Sequence, residues 1–268
     1  MGIYPGNSEI KDIYLGPNKL KEAYLGSHKL WPMGKKMADF PLETIVKLKE
    51  NGNWVNFKII NKGIPAFAGQ GTISGNFATY DTSCDGIWLL RNEIESLLTS
   101  SSPTTYPNSS YAQYTNTTYF NKIDPEFRNI IKDVKIPYNN GKSNAADFVD
   151  GVNGYACKAF LLSITECGHL YSSDHKHGYD GAWLYPWLSY DTPSTNDTSK
   201  LIATYNGVAN KWLTRTFEDK TKNYHYFLDT DGKWKVTTGA TSSKPLGIRP
   251  CIIVPNDILV NDSMEIVV

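Results

Sequence analysis

The sequence has no excess of charge of either sign: 27 Lys and Arg balance 27 Asp and Glu over 268 residues. Without a basic surplus there is no long-range field to concentrate a polyanion, so neither nucleic acid nor an anionic lipid surface is an expected partner. No apolar run approaches the length needed to cross a bilayer. The opening Met1-Gly2-Ile3-Tyr4-Pro5-Gly6 lacks the basic start and apolar stretch of a secretory signal, so membrane insertion is not expected. Cysteine is scarce. Cys84, Cys157, Cys167 and Cys251 are scattered and form no Cys-x-x-Cys, which reads as four unpaired thiols in a protein folded in a cytoplasm. Catalytic signatures are missing too: there is no Gly-x-Ser-x-Gly elbow, no phosphate-cradling glycine loop and no Cys–His motif. The expectation is a protein that is not an enzyme, with no catalytic residue and no cofactor. Acidic residues are plentiful, so a carboxylate pair for glycan processing stays open as a rival.

What the chain does have is aromatic side chains, 17 Tyr and 7 Trp among them. These give large contact area with few torsions to freeze, which suits both a β-rich core and a recognition surface. It also has a ten-residue repeat. Ile3-Tyr4-Pro5-Gly6 to Ile10, Ile13-Tyr14-Leu15-Gly16 to Leu20, and Ala23-Tyr24-Leu25-Gly26 to Leu30 keep Tyr, Gly and a closing aliphatic in register. Each copy reads as two short strands about a tight turn. A unit this small cannot cover its own apolar face, so it must stack on neighbours or on other chains. Residues 1–36 are therefore read as a stalk or docking segment, with Trp31–Lys36 as linker, and residues 37–268 as one globular domain. Docking on other proteins and homo-oligomer formation are both expected of residues 1–30.

Within the domain the pattern is α+β. Thr44–Lys49 and Trp54–Ile60 flank Asn51-Gly52, a pair that tolerates the positive φ of a type I′ hairpin turn. Ile87–Leu90 reads as a short buried strand. Asn92 reads as the cap of a helix through Ile94, Leu97 and Leu98. The polar stretch Ser100–Thr118 reads as an exposed loop, with helix over Tyr111–Phe120 in its second part. Asp124-Pro125-Glu126 reads as a helix start, with Phe127, Ile130, Ile131 and Val134 on one apolar face. Cys157–Ile164, Trp212–Thr216, Tyr224–Leu228, Lys233–Thr237 and Leu246–Val254 complete the strands, and Asp231-Gly232 turns the pair between Leu228 and Lys233.

The best binding candidates lie late in the chain, between about Arg215 and Lys244. Tyr224, Tyr226, Lys233, Trp234, Lys235, Thr237 and Thr238 combine rigid aromatic and adaptable polar groups, the mixture that recognition favours. Trp234 follows the Asp231-Gly232 turn and is the preferred anchor. Alternation along Tyr224–Leu228 implies one buried and one presented face, and the pattern leaves open which is which. Arg215 and Arg249 sit in apolar strands, so each is expected to clamp carboxylates or carbonyls. His169, Asp174, His175 and His177 are the most site-like cluster, yet they lack a zinc frame and read as a solvated loop; no metal is expected. Asp229-x-Asp231-Gly232 and Asp81 with Asp85-Gly86 read as turn chemistry rather than calcium ligands.

Asn56–Pro65, Tyr80–Leu90, Val134–Tyr138, Ala159–Ser163, Trp212-Leu213-Thr214-Arg215-Thr216 and Gly247-Ile248-Arg249-Pro250 together resemble a family found on tail-associated proteins of Firmicutes phages and prophages. The Tyr-Leu-Gly repeats are similar to those on gut phage structural proteins. The family resembles the C-type lectin-like fold shared with formylglycine-generating enzymes and retroelement variable proteins. That resemblance implies a receptor-binding or host-attachment protein of the virion, made in the bacterial cytoplasm, with a bacterial surface glycan or protein as ligand. A bacterial cell-surface protein and a structural tail adaptor are the alternatives. It also implies that Trp212, Arg215 and Arg249 are framework, and that the stretch between the last two segments faces the ligand. The chain departs from the pattern at Phe217, where proline is usual, and its Tyr224–Ser243 stretch is less rich in Asn and Ser than in many relatives.

Overall fold

A computed structural model describes residues 34–65, 77–99, 105–139, 148–169, 179–181, 198–219, 224–237 and 244–268. In the repeats it describes the strand pairs Tyr14–Leu15 with Asn18–Lys19 and Ala23–Leu25 with His28–Trp31. The domain is α+β: mostly strands, with two short α-helices.

Two five-stranded sheets organise it. The first runs, edge to edge, Ala159–Phe160, Cys251–Val254, Ile87–Arg91, Asn53–Lys62, Ile45–Glu50, with every neighbour antiparallel. The second runs Trp234–Val236, Tyr224–Leu228, Trp212–Asp219, Leu246–Ile248, Ser96–Leu98. The Asn51-Gly52 hairpin forms as expected, with φ of 49° and 77° at the two turn residues. The first sheet is apolar on both faces. Trp88, Leu90, Cys251 and Ile253 point into one core, while Ile87, Leu89, Ile252 and Val254 point into the other. Burial on both sides explains why Ile87–Leu90 is a continuous apolar run rather than an alternating one.

Ser109 caps the helix Ser110–Tyr114 through its hydroxyl, which accepts from the Ala112 amide. The helix then widens into a π-helical turn, Thr115–Tyr119. The Asp124-Pro125-Glu126 start gives a helix of one turn, Pro125–Arg128, and Phe127 and Ile131 are buried against the first sheet. Val134 belongs instead to the strand Val134–Ile136, so the apolar face read from the sequence spans two elements.

Four other expectations are corrected. Asn92 caps no helix, because the amides that a helix would need are bonded to neighbours: Asn92 N–H to Asn56 O, Ile94 N–H to Thr204 O and Glu95 N–H to Ile248 O. Leu97 and Leu98 are in the strand Ser96–Leu98. The single strand expected over Leu246–Val254 is two strands in different sheets, Leu246–Ile248 and Cys251–Val254. Pro250 lacks an amide donor and restricts Arg249, which breaks the ladder where the chain steps between sheets. Cys157–Ile164 is likewise divided between Tyr155–Cys157 and Ala159–Phe160, followed by a buried irregular segment. Finally, Lys35–Lys36 is not only linker, since it pairs with Leu259–Val260 as the edge of a small third sheet.

Candidate functional site

The expected binding strands lie at one edge of the second sheet. Trp234–Val236 is the edge strand and pairs with Tyr224–Leu228 through Tyr226↔Val236, Phe227↔Lys235 and Leu228↔Trp234. Alternation puts Tyr226 on the face of Trp234 and Val236, with His225 and Phe227 on the other. The expectation of one presented face fails, because His225, Tyr226, Phe227 and Leu228 are all buried. Both faces are covered by rings: His225 lies 4.3 Å from Phe217 and 5.6 Å from Tyr111, and Tyr226 lies 5.7 Å from His169. Strand alternation alone could not show this, since both faces of the strand are aromatic and either can pack.

Accessible groups gather at the edge itself. Trp234 is partly buried, and its ring stacks on His169 with centroids 3.8 Å apart and planes 21° apart. Lys233 and Lys235 are exposed; Lys235 pairs with Asp229, and Lys233 lies 3.6 Å from Asp231. The Lys233–Asp231 pair is exposed on both sides and contributes little, whereas Asp229 is buried and holds Lys235 more firmly. Tyr224 is half-buried. Thr237 is 1% exposed and is structural: its hydroxyl accepts from the His225 amide at 2.9 Å. Thr238, Asp174, His175 and His177 lie outside the described residues. Of the seven candidates, Trp234, Lys233 and Lys235 are thus accessible at one end of the edge strand; Tyr224 lies half-buried toward the other end of its neighbour strand, and Tyr226 and Thr237 are buried.

Arg215 roots this edge. Its guanidinium is fully buried and all five donors are used: Nε on Pro137 O at 3.0 Å, Nη1 on Leu161 O and Glu166 Oε2 at 2.9 and 2.7 Å, Nη2 on Glu166 Oε1 and Asp180 O at 2.7 and 2.8 Å. The expected clamp is therefore on both a carboxylate and carbonyls. Glu166 also accepts from the Tyr80 hydroxyl and the Ser163 amide. Asp180 accepts from the Thr216 hydroxyl and the Asn139 amide. Sequence reading missed Glu166, Asp180 and Tyr80. A usable signal was there for Glu166, which follows the apolar run Ala159–Ile164 and so requires a buried cation. Arg249 plays the simpler part, with Nε on Arg91 O at 2.8 Å and its guanidinium 5.0 Å over the Trp212 ring.

One cation between two buried carboxylates leaves a surplus negative charge, and Asp180 carries the consequence. Burial raises its carboxyl to about 6, against the lowering effects of Arg215 and the Thr216 hydroxyl. His225 moves the other way, with burial pushing its imidazole down to about 3. Their effects on stability are opposite in sign. The folded state holds the Asp180 proton more tightly than the unfolded chain does. That stabilisation is full below about pH 4 and is lost as pH rises through about 6. Neutral His225 contributes above about pH 6.5 and loses its contribution as pH falls toward 3. In urea melts from pH 4 to 7, Asp180→Asn should fall further below the parent on acidification. His225→Phe should gain on the parent over the same range. Parallel pH profiles for parent and variants would refute the assignment.

Two of the remaining acidic candidates make turn contacts. Asp81 caps the 3₁₀ turn Thr82–Cys84 by accepting from Ser83 N–H at 2.9 Å, and Asp231 accepts from Lys233 N–H at 3.0 Å across its turn. No group of three or more His, Cys, Asp or Glu able to hold a metal occurs among the described residues. The four cysteines are free thiols and buried; burial pushes the Cys84 thiol up to about 12. No described helix is long and apolar enough to cross a membrane.

No curated protein and no solved structure matches the chain. A family model described as a domain of unknown function, DUF6273, matches residues 85–256, the span that holds both Arg215 and the Trp234 edge. That match covers well over half of the sequence, and the chain belongs to this family.

Proposed function

We propose that the chain is a non-enzymatic recognition protein, a C-type lectin-like domain on a repetitive stalk. On this reading it is carried on a phage tail and attaches to a bacterial surface glycan or protein. The observation that carries the reading is the Trp234 edge: an aromatic ring held by stacking on His169, on an edge strand entered at exposed Lys233 and carrying exposed Lys235 on its other face. A ring fixed before contact loses little entropy on binding, and Lys233 holds only an exposed, exchangeable pair with Asp231. The two segments expected to frame the ligand-facing stretch are also neighbours, since Trp212 pairs with Gly247 in parallel register. The intervening chain, including the Trp234 edge, therefore leaves and re-enters one sheet from adjacent strands. Modest affinity at such an edge suits a protein displayed in several copies, where multivalency multiplies it.

Trp234→Ala in the full chain tests this reading. Binding to whole bacterial cells that the parent protein labels, or to a glycan array, should weaken by about 2 kcal/mol, roughly thirtyfold in Kd. The ring packs partly against the core and on His169, so the melting temperature should fall by some degrees as well, and binding is compared where both proteins are folded. Unchanged binding with a large loss of stability would mean that Trp234 is core and that the edge is not the binding surface.

A further inference from the structure

We infer that Asn206-Gly207, at the tip of the ribbon formed by Ala203–Tyr205 and Val208–Asn210, is a site of spontaneous covalent modification. Asn206 loses its side-chain amide to form a succinimide, which water then opens to aspartate and isoaspartate. The site shares no residue with the Trp234 edge, so it stands or falls separately from the reading above.

The nucleophile is the backbone nitrogen of the residue that follows the asparagine. It gives its proton to base and attacks the Asn206 side-chain carbonyl carbon. The new N–Cγ bond closes a five-membered ring as the Cγ–Nδ2 bond breaks, and Nδ2 takes up a proton and leaves as ammonia. Water adds at either ring carbonyl. The new carboxylate then lies on the side chain, or on Cα with the main chain rerouted through Cγ. Glycine in the following position favours closure, because no Cβ obstructs the attacking nitrogen.

Asn-Gly pairs also occur at Asn51-Gly52, Asn153-Gly154 and Asn140-Gly141, the last outside the described residues. The fold protects the first two. Gly52 N–H donates to Asp124 Oδ1 at 2.9 Å, and Asn51 N–H donates to Lys122 O at 2.7 Å. Gly154 N–H donates to Gly151 O at 2.8 Å, and a Cβ added there would lie 2.3 Å from Ile136 O. By contrast, neither Gly207 N–H nor the Asn206 side chain has a hydrogen-bond partner among the described residues. Both residues are exposed, and a Cβ added at Gly207 would meet nothing within 4 Å. Ring closure rotates the linkage out of a two-residue turn with φ of 51° and 79°, so the turn must open first. Opening is easy here. The ribbon is a two-stranded sheet of three residue pairs, and Val208, in the pair that closes the turn, is 68% exposed. So short and uncovered a hairpin frays at low free energy. Asn51-Gly52 instead joins Ile45–Glu50 to Asn53–Lys62 within a five-stranded sheet, where opening breaks a long ladder.

The test is to hold the full chain at mildly alkaline pH and physiological temperature for several weeks, digest samples and follow the peptides by mass spectrometry. The peptide with Asn206 should convert about tenfold or more faster than those with Asn51 and Asn153. Its product should be methylated by protein isoaspartyl methyltransferase, the mark of a succinimide route. In urea that unfolds the chain, the three rates should converge, because each asparagine is followed by glycine and only the fold separates them. Conversion at Asn206 no faster than at the other two in folded protein overturns the inference. So does a rate order that persists in urea, or a product without isoaspartate.

Discussion

Arg215→Met should cost about 3–5 kcal/mol in urea unfolding, a large share of the roughly 5–15 kcal/mol that holds a domain folded. The cost follows from what is left behind rather than from the pair's own worth. With the guanidinium gone, Glu166 keeps the Tyr80 and Ser163 donors but loses its charge partner, fully buried. The carbonyls of Pro137, Leu161 and Asp180 lose their donors at the same time. Buried acceptors without donors are destabilising, and a buried carboxylate without a cation more so. Adding Glu166→Gln to Arg215→Met should therefore recover part of the loss, because the orphaned charge is removed. If the single variant loses less than about 1 kcal/mol, or the second substitution recovers nothing, the cluster is not the anchor described here.

Gly232→Ala should be the next most damaging small change, at about 2–4 kcal/mol. Gly232 has φ of +76°, where a side chain costs about 1–2 kcal/mol by itself. An added Cβ would also lie 2.0 Å from the Thr198 carbonyl oxygen. That contact is part of a docked turn, since the Thr198 hydroxyl also donates to Asp231 O at 2.8 Å. Gly207 supplies the control. It has nearly the same φ, +79°, at the turn between Ala203–Tyr205 and Val208–Asn210, and a Cβ added there would meet nothing within 4 Å. Gly207→Ala should show the conformational cost alone, and the difference in urea midpoint measures the docking of the Asp231-Gly232 turn. Equal losses at the two glycines would mean that the turn is not held against Thr198. Because this turn sets the start of the Trp234 strand, Gly232→Ala should also weaken cell binding in protein that remains folded.

Local chemistry was legible in the sequence wherever a few adjacent residues decide the outcome. Asn51-Gly52 turns the first hairpin because both residues accept positive φ, and Asp231-Gly232 closes the later one through the Asp231 carboxylate. Pro125 after Asp124 starts a helix because the missing amide hydrogen is one that a first turn does not use. The α+β class and most strands follow from the same kind of signal. The repeat announced short paired strands, and two of its copies form them.

Tertiary structure decided what depends on distant partners. Asn92 looked like a helix cap, but Asn56, Thr204 and Ile248 supply acceptors that draw the amides of this segment away from a helix. Leu246–Val254 looked like one strand, and only the packing of two sheets shows the step at Arg249-Pro250. The candidate site divided in the same way. Trp234, Lys233 and Lys235 could be picked by residue type and by their place after a turn. Whether Tyr226 and Thr237 faced out or in could not, because burial is set by the rings and hydroxyls that other segments bring. Arg215 had to be paired, as any buried guanidinium must. Its partners Glu166 and Asp180 lie 49 and 35 residues away along the chain. A sequence states the need for a countercharge, but only the folded chain, by bringing distant segments within hydrogen-bonding reach, settles which carboxylate meets it.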